Sequence, residues 1–264
     1  MSLPATIARR SLKTASMAFD RLGPALRGPR FLVYHQVGAG NGQEMDLALE
    51  DFRRQMTWLA STGGVVSLED VLATPDDPSD RYVITFDDGY DDMYRNGFPI
   101  LRDLGLPFVL YLTSQPIESR APLRDDGLSV PCTWDQVGDM VDSGLVTIGA
   151  HTHTHPDFRL ISAAQIEEEV GVSNRLITER IGHTPKHFTY TWGYWSEQAD
   201  PIVRAAYDTA TVAGCRTSLG APSNAIPRLP VQLSDGFAFF RGRMRGGFRL
   251  EDVLRRRLSG YDGP

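Results

Sequence analysis

A chain of 264 residues with 41% hydrophobic content is long enough for one large α/β domain or two small ones, with a substantial core. Its net charge of −6 is unevenly placed: residues 1–30 carry +5, residues 241–264 carry +4, and the stretch between carries −15. This does not suit a nucleic-acid groove but suits contact of the basic ends with an anionic membrane surface. Only two cysteines are present, Cys132 and Cys215, so there is no disulfide framework or Cys-rich zinc site, and any metal must be held by histidine and carboxylate.

The first 29 residues form a basic segment. Met1-Ser2-Leu3-Pro4-Ala5-Thr6-Ile7-Ala8-Arg9-Arg10 lacks the unbroken apolar stretch of a secretory signal. Nor does any run approach the ~18–20 apolar residues of a membrane span. The expectation is a cytoplasmic protein, peripheral to the inner membrane face if its basic ends bind lipid. Residues 7–26 interleave Ile7, Leu12, Met17, Phe19, Leu22 and Leu26 with Arg9, Arg10, Lys13 and Arg21. That pattern reads as an amphipathic helix, packed on its own domain or lying on a bilayer.

From residue 30 to the basic C-terminal helix the chain reads as a single domain. Seven short runs rich in β-branched and aromatic residues predict strands at 30–36, 81–86, 107–113, 145–151, 187–192, 209–213 and 225–231. Helical spacing appears at 49–59, 93–104, 134–141, 163–181 and 197–206. Such alternation predicts parallel βαβ units. Residues 75–80 are a surface loop, and residues 114–131 a longer loop suited to line a cleft. Nothing in the sequence sets an oligomeric state.

The chemistry-bearing residues follow strand ends. Asp87 and Asp88 close Tyr82-Val83-Ile84-Thr85-Phe86, His151 closes Val146-Thr147-Ile148-Gly149-Ala150, and His35 closes Phe31-Leu32-Val33-Tyr34. In parallel α/β folds that end collects the functional loops. Asp-Asp-Gly alone is also an ordinary turn. His151-Thr152-His153-Thr154-His155-Pro156 places three of the six histidines within five residues, as metal ligands do. In an extended segment all three would share a face; a bend ahead of Pro156 would bring 151 and 155 together and turn His153 away, and this is the pairing we adopt. One carboxylate and two imidazoles suit Zn²⁺ with an open position, and the second carboxylate is then free as a base.

Taken together, Thr85-Phe86-Asp87-Asp88-Gly89 and the His151–Pro156 segment resemble the polysaccharide deacetylases with NodB homology, carbohydrate esterase family 4. The likeness runs from about residue 31 to 231. It implies a distorted (β/α)7 barrel and hydrolysis of an N-acetyl group on an acetylated carbohydrate. It also implies a divalent metal, Zn²⁺ foremost, with Co²⁺, Ni²⁺ or Mn²⁺ as alternatives. Asp87 would be the general base, and Asp88, His151 and His155 the metal ligands. The attack of metal-bound water serves an O-acetyl esterase or a deformylase equally, and an inactive carbohydrate-binding member of the fold is a further alternative.

The third family motif departs from pattern in Phe188-Thr189-Tyr190-Thr191-Trp192-Gly193-Tyr194. Trp192 stands where the family places the aromatic whose backbone N–H helps form the oxyanion hole. Thr189 replaces the arginine that orients the base, leaving Arg228 to supply that charge. No histidine follows His187, so the late general acid is missing; His35, in Tyr34-His35-Gln36-Val37, is the replacement. Trp134 is read as starting a helix that caps the barrel or borders the cleft, and His183 and His187 as surface residues.

Overall fold

In the computed structural model, which describes residues 3–124 and 127–259, helix α1 (Leu3–Arg21) precedes strand β1 (Arg30–Tyr34) and a short parallel pair, β2 (Gln36–Val37) and β3 (Asp46–Leu47). Helices α2 (Leu49–Thr62) and α3 (Leu68–Ala73) lead to β4 (Tyr82–Phe86). A π turn (Met93–Gly97) runs into α4 (Phe98–Asp103), followed by β5 (Phe108–Leu112), α5 (Ser114–Ser119), α6 (Trp134–Asp142) and β6 (Val146–Ala150). Helix α7 (Ala163–Ile181) precedes β7 (His187–Thr189), then come α8 (Asp200–Ala206), β8 (Thr209–Ala213) and β9 (Ile226–Pro230). Helices α9 (Gly236–Gly246) and α10 (Arg249–Ser259) close the chain. Residues 1–2 and 260–264 of the basic termini lie outside the described residues.

Strands β1, β4, β5, β6, β7, β8 and β9 pair in that order, all parallel, and β9 returns to β1 to close a seven-stranded barrel. The strand alternation sorts two cores. Phe31, Val83, Val109, Tyr111 and Ile226 turn inward and fill the barrel, where Leu68 and Val71 of α3 plug its lower end. The alternate residues, such as Leu32, Ile84, Leu110 and Phe188, face outward against the helices in one continuous apolar layer. Three α-helices start at capping boxes, Ser67/Asp70, Thr133/Gln136 and Ser162/Gln165, each satisfying two main-chain N–H groups at the helix start.

Several local expectations change. The segment 114–131 begins with helix α5 rather than open loop. The run 187–192 is strand only as far as Thr189; Tyr190 packs into the outer core and Thr191–Gly193 is a 3₁₀ turn. His187 is not on the surface: it is buried at the start of β7, with Nδ1 2.8 Å from Thr209 Oγ1, whereas His183 is exposed. Trp134 begins α6, and its Nε1 donates to Glu118 on α5. Helix α1 packs against α9 and α10 and buries Lys13, Ser16 and Asp20. Lys13 thus lies inside, where its Nζ meets Asp235 at 2.5 Å beside the equally buried Arg243.

Candidate active site

Because side chains alternate along each strand, the residues two positions beyond an inward-facing one also face the barrel axis. Val83 and Thr85 lead to Asp87, Val33 leads to His35, and Gly149 leads to His151. Ile226 is followed by Arg228 on the same face. All of these except Val83, Thr85, Gly149 and Ile226 border one cavity of about 200 Å³ at the C-terminal mouth of the barrel, together with Asp88, His155 and Trp192.

Arg228 organises the floor. Its two terminal nitrogens reach the two oxygens of Asp87 at 2.6 Å each, in a fork-on-fork pair. The same guanidinium donates to Thr85 Oγ1 at 3.0 Å and Thr189 Oγ1 at 2.6 Å, and lies over the Tyr111 ring. Both Arg228 and Asp87 are buried. Burial raises the Asp87 pKa; the Arg228 charge and its hydrogen bonds overcome that and hold it at about 2. Arg228 thus makes the contact with Asp87 expected of the missing arginine, and it donates to Thr189, the residue found at that place in the sequence.

Beside this pair, Asp88 Oδ1 lies 3.5 Å from Nε2 of His151 and 3.5 Å from Nε2 of His155. One ligand atom from each residue falls within 4.8 Å of the others. The Nδ1–H of His151 donates to the Thr189 carbonyl at 2.8 Å, which turns its Nε2 lone pair toward Asp88. Burial, with His155 adding to it, lowers the His151 pKa to about 4, so its imidazole is neutral and able to ligate at neutral pH. The bend between the two histidines is fastened from outside. Glu169 of α7 accepts from the main-chain N–H groups of His153 and Thr154 and from the Thr154 hydroxyl. His153 is turned away, its Nδ1 2.9 Å from Ser114 Oγ. The donor set of two imidazoles and one carboxylate fits a divalent ion of the Zn²⁺ type.

His35 Nε2 lies 3.8 Å from Asp87 Oδ2. Burial lowers its pKa, although Asp87 and Asp88 pull the other way. It is therefore neutral at neutral pH, not the resting imidazolium that a general acid would need. Trp192 is 57% exposed at the rim, its ring 5.2 Å from that of His155. Its backbone is left-handed, φ 60°, and Gly193 beside it has φ 71°; a Cβ on Gly193 would come within 2.4 Å of the Ala213 Cβ. Asp88, Thr152, His155 and Trp192 are four of the six non-glycine residues with positive φ among the described residues. Each such conformation costs about 1–3 kcal/mol, so this backbone is held in a strained form around the cavity.

The sequence pattern alone does not mark Thr85, Thr113 or Glu169, and Thr189 stands in it only as a lost arginine. Thr113 Oγ1 donates to the His151 carbonyl at 3.3 Å. Thr85, Thr113 and Thr189 were within reach of the alternation rule, since each is a polar residue at or just past the mouth end of a barrel strand. Glu169, on a helix face, carries no such signal.

A closed seven-stranded parallel barrel with two carboxylates, one of them paired with an arginine, and two histidines at its mouth has the NodB-like deacetylase fold. The polysaccharide deacetylase family model matches residues 74–209, and the chain belongs to that family. The match includes Asp87, Asp88, His151, His155 and Trp192 but not His35 or Arg228. The chain is 27% identical over 197 residues to YxkH of Bacillus subtilis (strain 168), whose name assigns it provisionally to the same family; the aligned part is 73% of this chain and 65% of YxkH. It is 28% identical over 134 residues to the poly-β-1,6-N-acetyl-D-glucosamine N-deacetylase of Escherichia coli (strain K12), covering 46% of this chain and 20% of that protein. Among solved structures, IcaB from Ammonifex degensii shares the fold with a TM-score of 0.70 and 23% identity, over 79% of this chain and 94% of IcaB. The Streptococcus pyogenes deacetylase PplD, in complex with acetate, has a TM-score of 0.71 and 18% identity, over 83% of this chain and 99% of PplD.

Proposed function

We propose that this protein removes N-acetyl groups from an acetylated carbohydrate by hydrolysis, with a divalent cation, Zn²⁺ foremost, held by Asp88, His151 and His155. The observation that carries this reading is the convergence of those three ligand atoms beside an Asp87 clamped by Arg228. Bound there, the cation supplies Lewis-acid polarisation of the acyl oxygen and makes water more acidic.

The other roles fall to side chains. Asp87, held at about 2, stays ionised across the working range. It orients the attacking water and takes its proton only transiently, because so weak a base does not retain one. His35, neutral at rest and 3.8 Å from Asp87, accepts that proton and delivers it to the nitrogen as the C–N bond breaks. Acetate and a free amine leave. Arg228 fixes the direction of both Asp87 oxygens, and the main-chain N–H of Trp192 is the donor assigned to the oxyanion. The name of the Escherichia coli relative favours N-acetylglucosamine polymers as the first substrates to test.

The test is acyl release by the metal-loaded protein: acetate from N-acetylated glucosamine oligomers and from O-acetylated sugars, and formate from N-formylated sugars. Release from the N-acetyl substrates with loss in Asp87→Asn supports the proposal. Release only from esters or formamides, or from none while a known deacetylase works on the same panel, contradicts it.

A further inference from the structure

A second cavity, of about 590 Å³, lies at the other end of the barrel, outside its wall, where β1 and β4 begin. Helices α1, α2 and α9 enclose it, and it shares no residue with the Asp87 site. Five-residue strands at about 3.3 Å per residue separate the two ends by roughly 16 Å.

The lining is cationic. Arg21, Arg30, Arg241 and Arg245 border the space against two carboxylates, Asp20 and Asp80. Asp20 is already engaged, accepting the main-chain N–H groups of Phe248 and Arg249. Asp80 pairs with Arg30 at 3.0 Å. That leaves Arg21, Arg241 and Arg245 with no carboxylate within ion-pair distance among the described residues. Arg30 is 2% exposed, and its terminal nitrogens are taken up by the Leu26 and Gly28 carbonyls and by Asp80, so it contributes charge rather than a free donor. Cations gathered around one concavity repel each other, and an anion in the cavity relieves that repulsion.

Two flat rings complete the lining. Arg241 lies 5.9 Å from the Trp58 ring centroid and Arg30 5.5 Å from that of Tyr82. A planar guanidinium fork matches phosphate oxygens, and aromatic faces pack against whatever organic group the phosphate bears.

We propose that this cavity binds a phosphate ester. Arg21, Arg241 and Arg245 contact the phosphate oxygens, Arg30 adds its positive charge from the buried floor, and Trp58 and Tyr82 border the esterified group. A phospholipid headgroup and a soluble phosphate ester share this chemistry. Phe19 and Leu22, next in sequence to the lining residues Asp20 and Arg21, are 55% and 89% exposed, which adds apolar surface suited to a bilayer. With a lipid there, the catalytic mouth at the opposite strand ends points away from the membrane.

The full chain is titrated calorimetrically with inorganic pyrophosphate. It is also floated with phosphatidylglycerol-containing vesicles and with pure phosphatidylcholine vesicles. Binding to at least one anionic probe and not to phosphatidylcholine is expected. The exposed pair Arg241→Gln/Arg245→Gln is expected to weaken it about tenfold or more, as is Arg21→Gln on the facing wall, with circular dichroism melts confirming that each variant folds. Binding to pyrophosphate alone identifies a soluble ester; binding to the anionic vesicles identifies a lipid. No binding of either probe by the wild type, or undiminished binding in the folded variants, overturns the proposal. Neither readout depends on acyl hydrolysis, so this proposal and the deacetylase reading can fail separately.

Discussion

Arg228→Met probes the floor of the catalytic cavity at its most connected atom group. The guanidinium makes four charge-assisted hydrogen bonds, two of them to Asp87 at 2.6 Å. Its loss leaves a buried carboxylate unpaired, which costs about 3–5 kcal/mol. The pH dependence carries a sign. In the wild type the Asp87 pKa is depressed to about 2, so the stability it contributes is present above the unfolded value near 3.9 and is lost as pH falls through 2. Without Arg228 the largest remaining influence is burial, which raises the pKa; the folded state then favours the protonated acid, and stability falls as pH rises. The destabilisation caused by Arg228→Met is therefore greater at pH 7 than at pH 4.5. Urea unfolding of the metal-free protein at both pH values measures it, and Asp87→Asn/Arg228→Met completes a double-mutant cycle. A destabilisation below about 1 kcal/mol, or one equal at both pH values, would refute the reasoning.

Other perturbations separate further contributions. Asp235→Asn leaves buried Lys13 with the neutral Gln232 oxygen and Arg243 with Glu251, and is expected to cost about 3–5 kcal/mol in urea unfolding; a change under about 1 kcal/mol contradicts the assigned role. Gly149→Ala drives a methyl to 2.4 Å from a Tyr111 ring carbon and 2.9 Å from the His187 carbonyl, costing about 1–3 kcal/mol; an unchanged melting temperature would show that β6 moves away freely. Trp192→Gly removes an exposed ring, keeps the main-chain N–H assigned to the oxyanion and suits the left-handed backbone, so it should preserve or raise thermal stability and retain acyl hydrolysis; loss of hydrolysis in the folded variant would show that the ring and not the N–H carries the role.

The barrel was legible because each strand is a short β-branched or aromatic run, and the predicted runs overlap all seven barrel strands. Helix α7 has the predicted bounds, set by the Ser162 capping box and by Gly182 at φ 84°. Helices α3 and α5 and the β2–β3 pair went unpredicted because each is too short for a hydrophobic period to register, and 11-residue α9 was not separated from the basic C-terminal helix. At the site, motif spacing identified Asp87, Asp88, His151 and His155 as a group, and Arg228 was reachable as the charged member of an inward-facing alternation. Long-range contacts were not. His187 reads as polar and near a loop, yet Thr209 on the next strand and Glu69 on α3 surround it. Lys13 reads as one charge of a polar helix face, but its partner Asp235 is 222 residues away. The Thr189 interaction with His151 runs through a carbonyl, which no side-chain pattern encodes.

Acetate release by the cation-loaded wild type and Asp87→Asn, with bound metal quantified in both, tests the central claim most directly. Asp87 is not among the three grouped ligands, so Asp87→Asn should retain about one equivalent of cation while its kcat falls by roughly 10²–10⁴-fold. Hydrolysis of N-acetylated glucosamine oligomers at the wild-type rate by Asp87→Asn, or by the chelated wild type, would contradict the account.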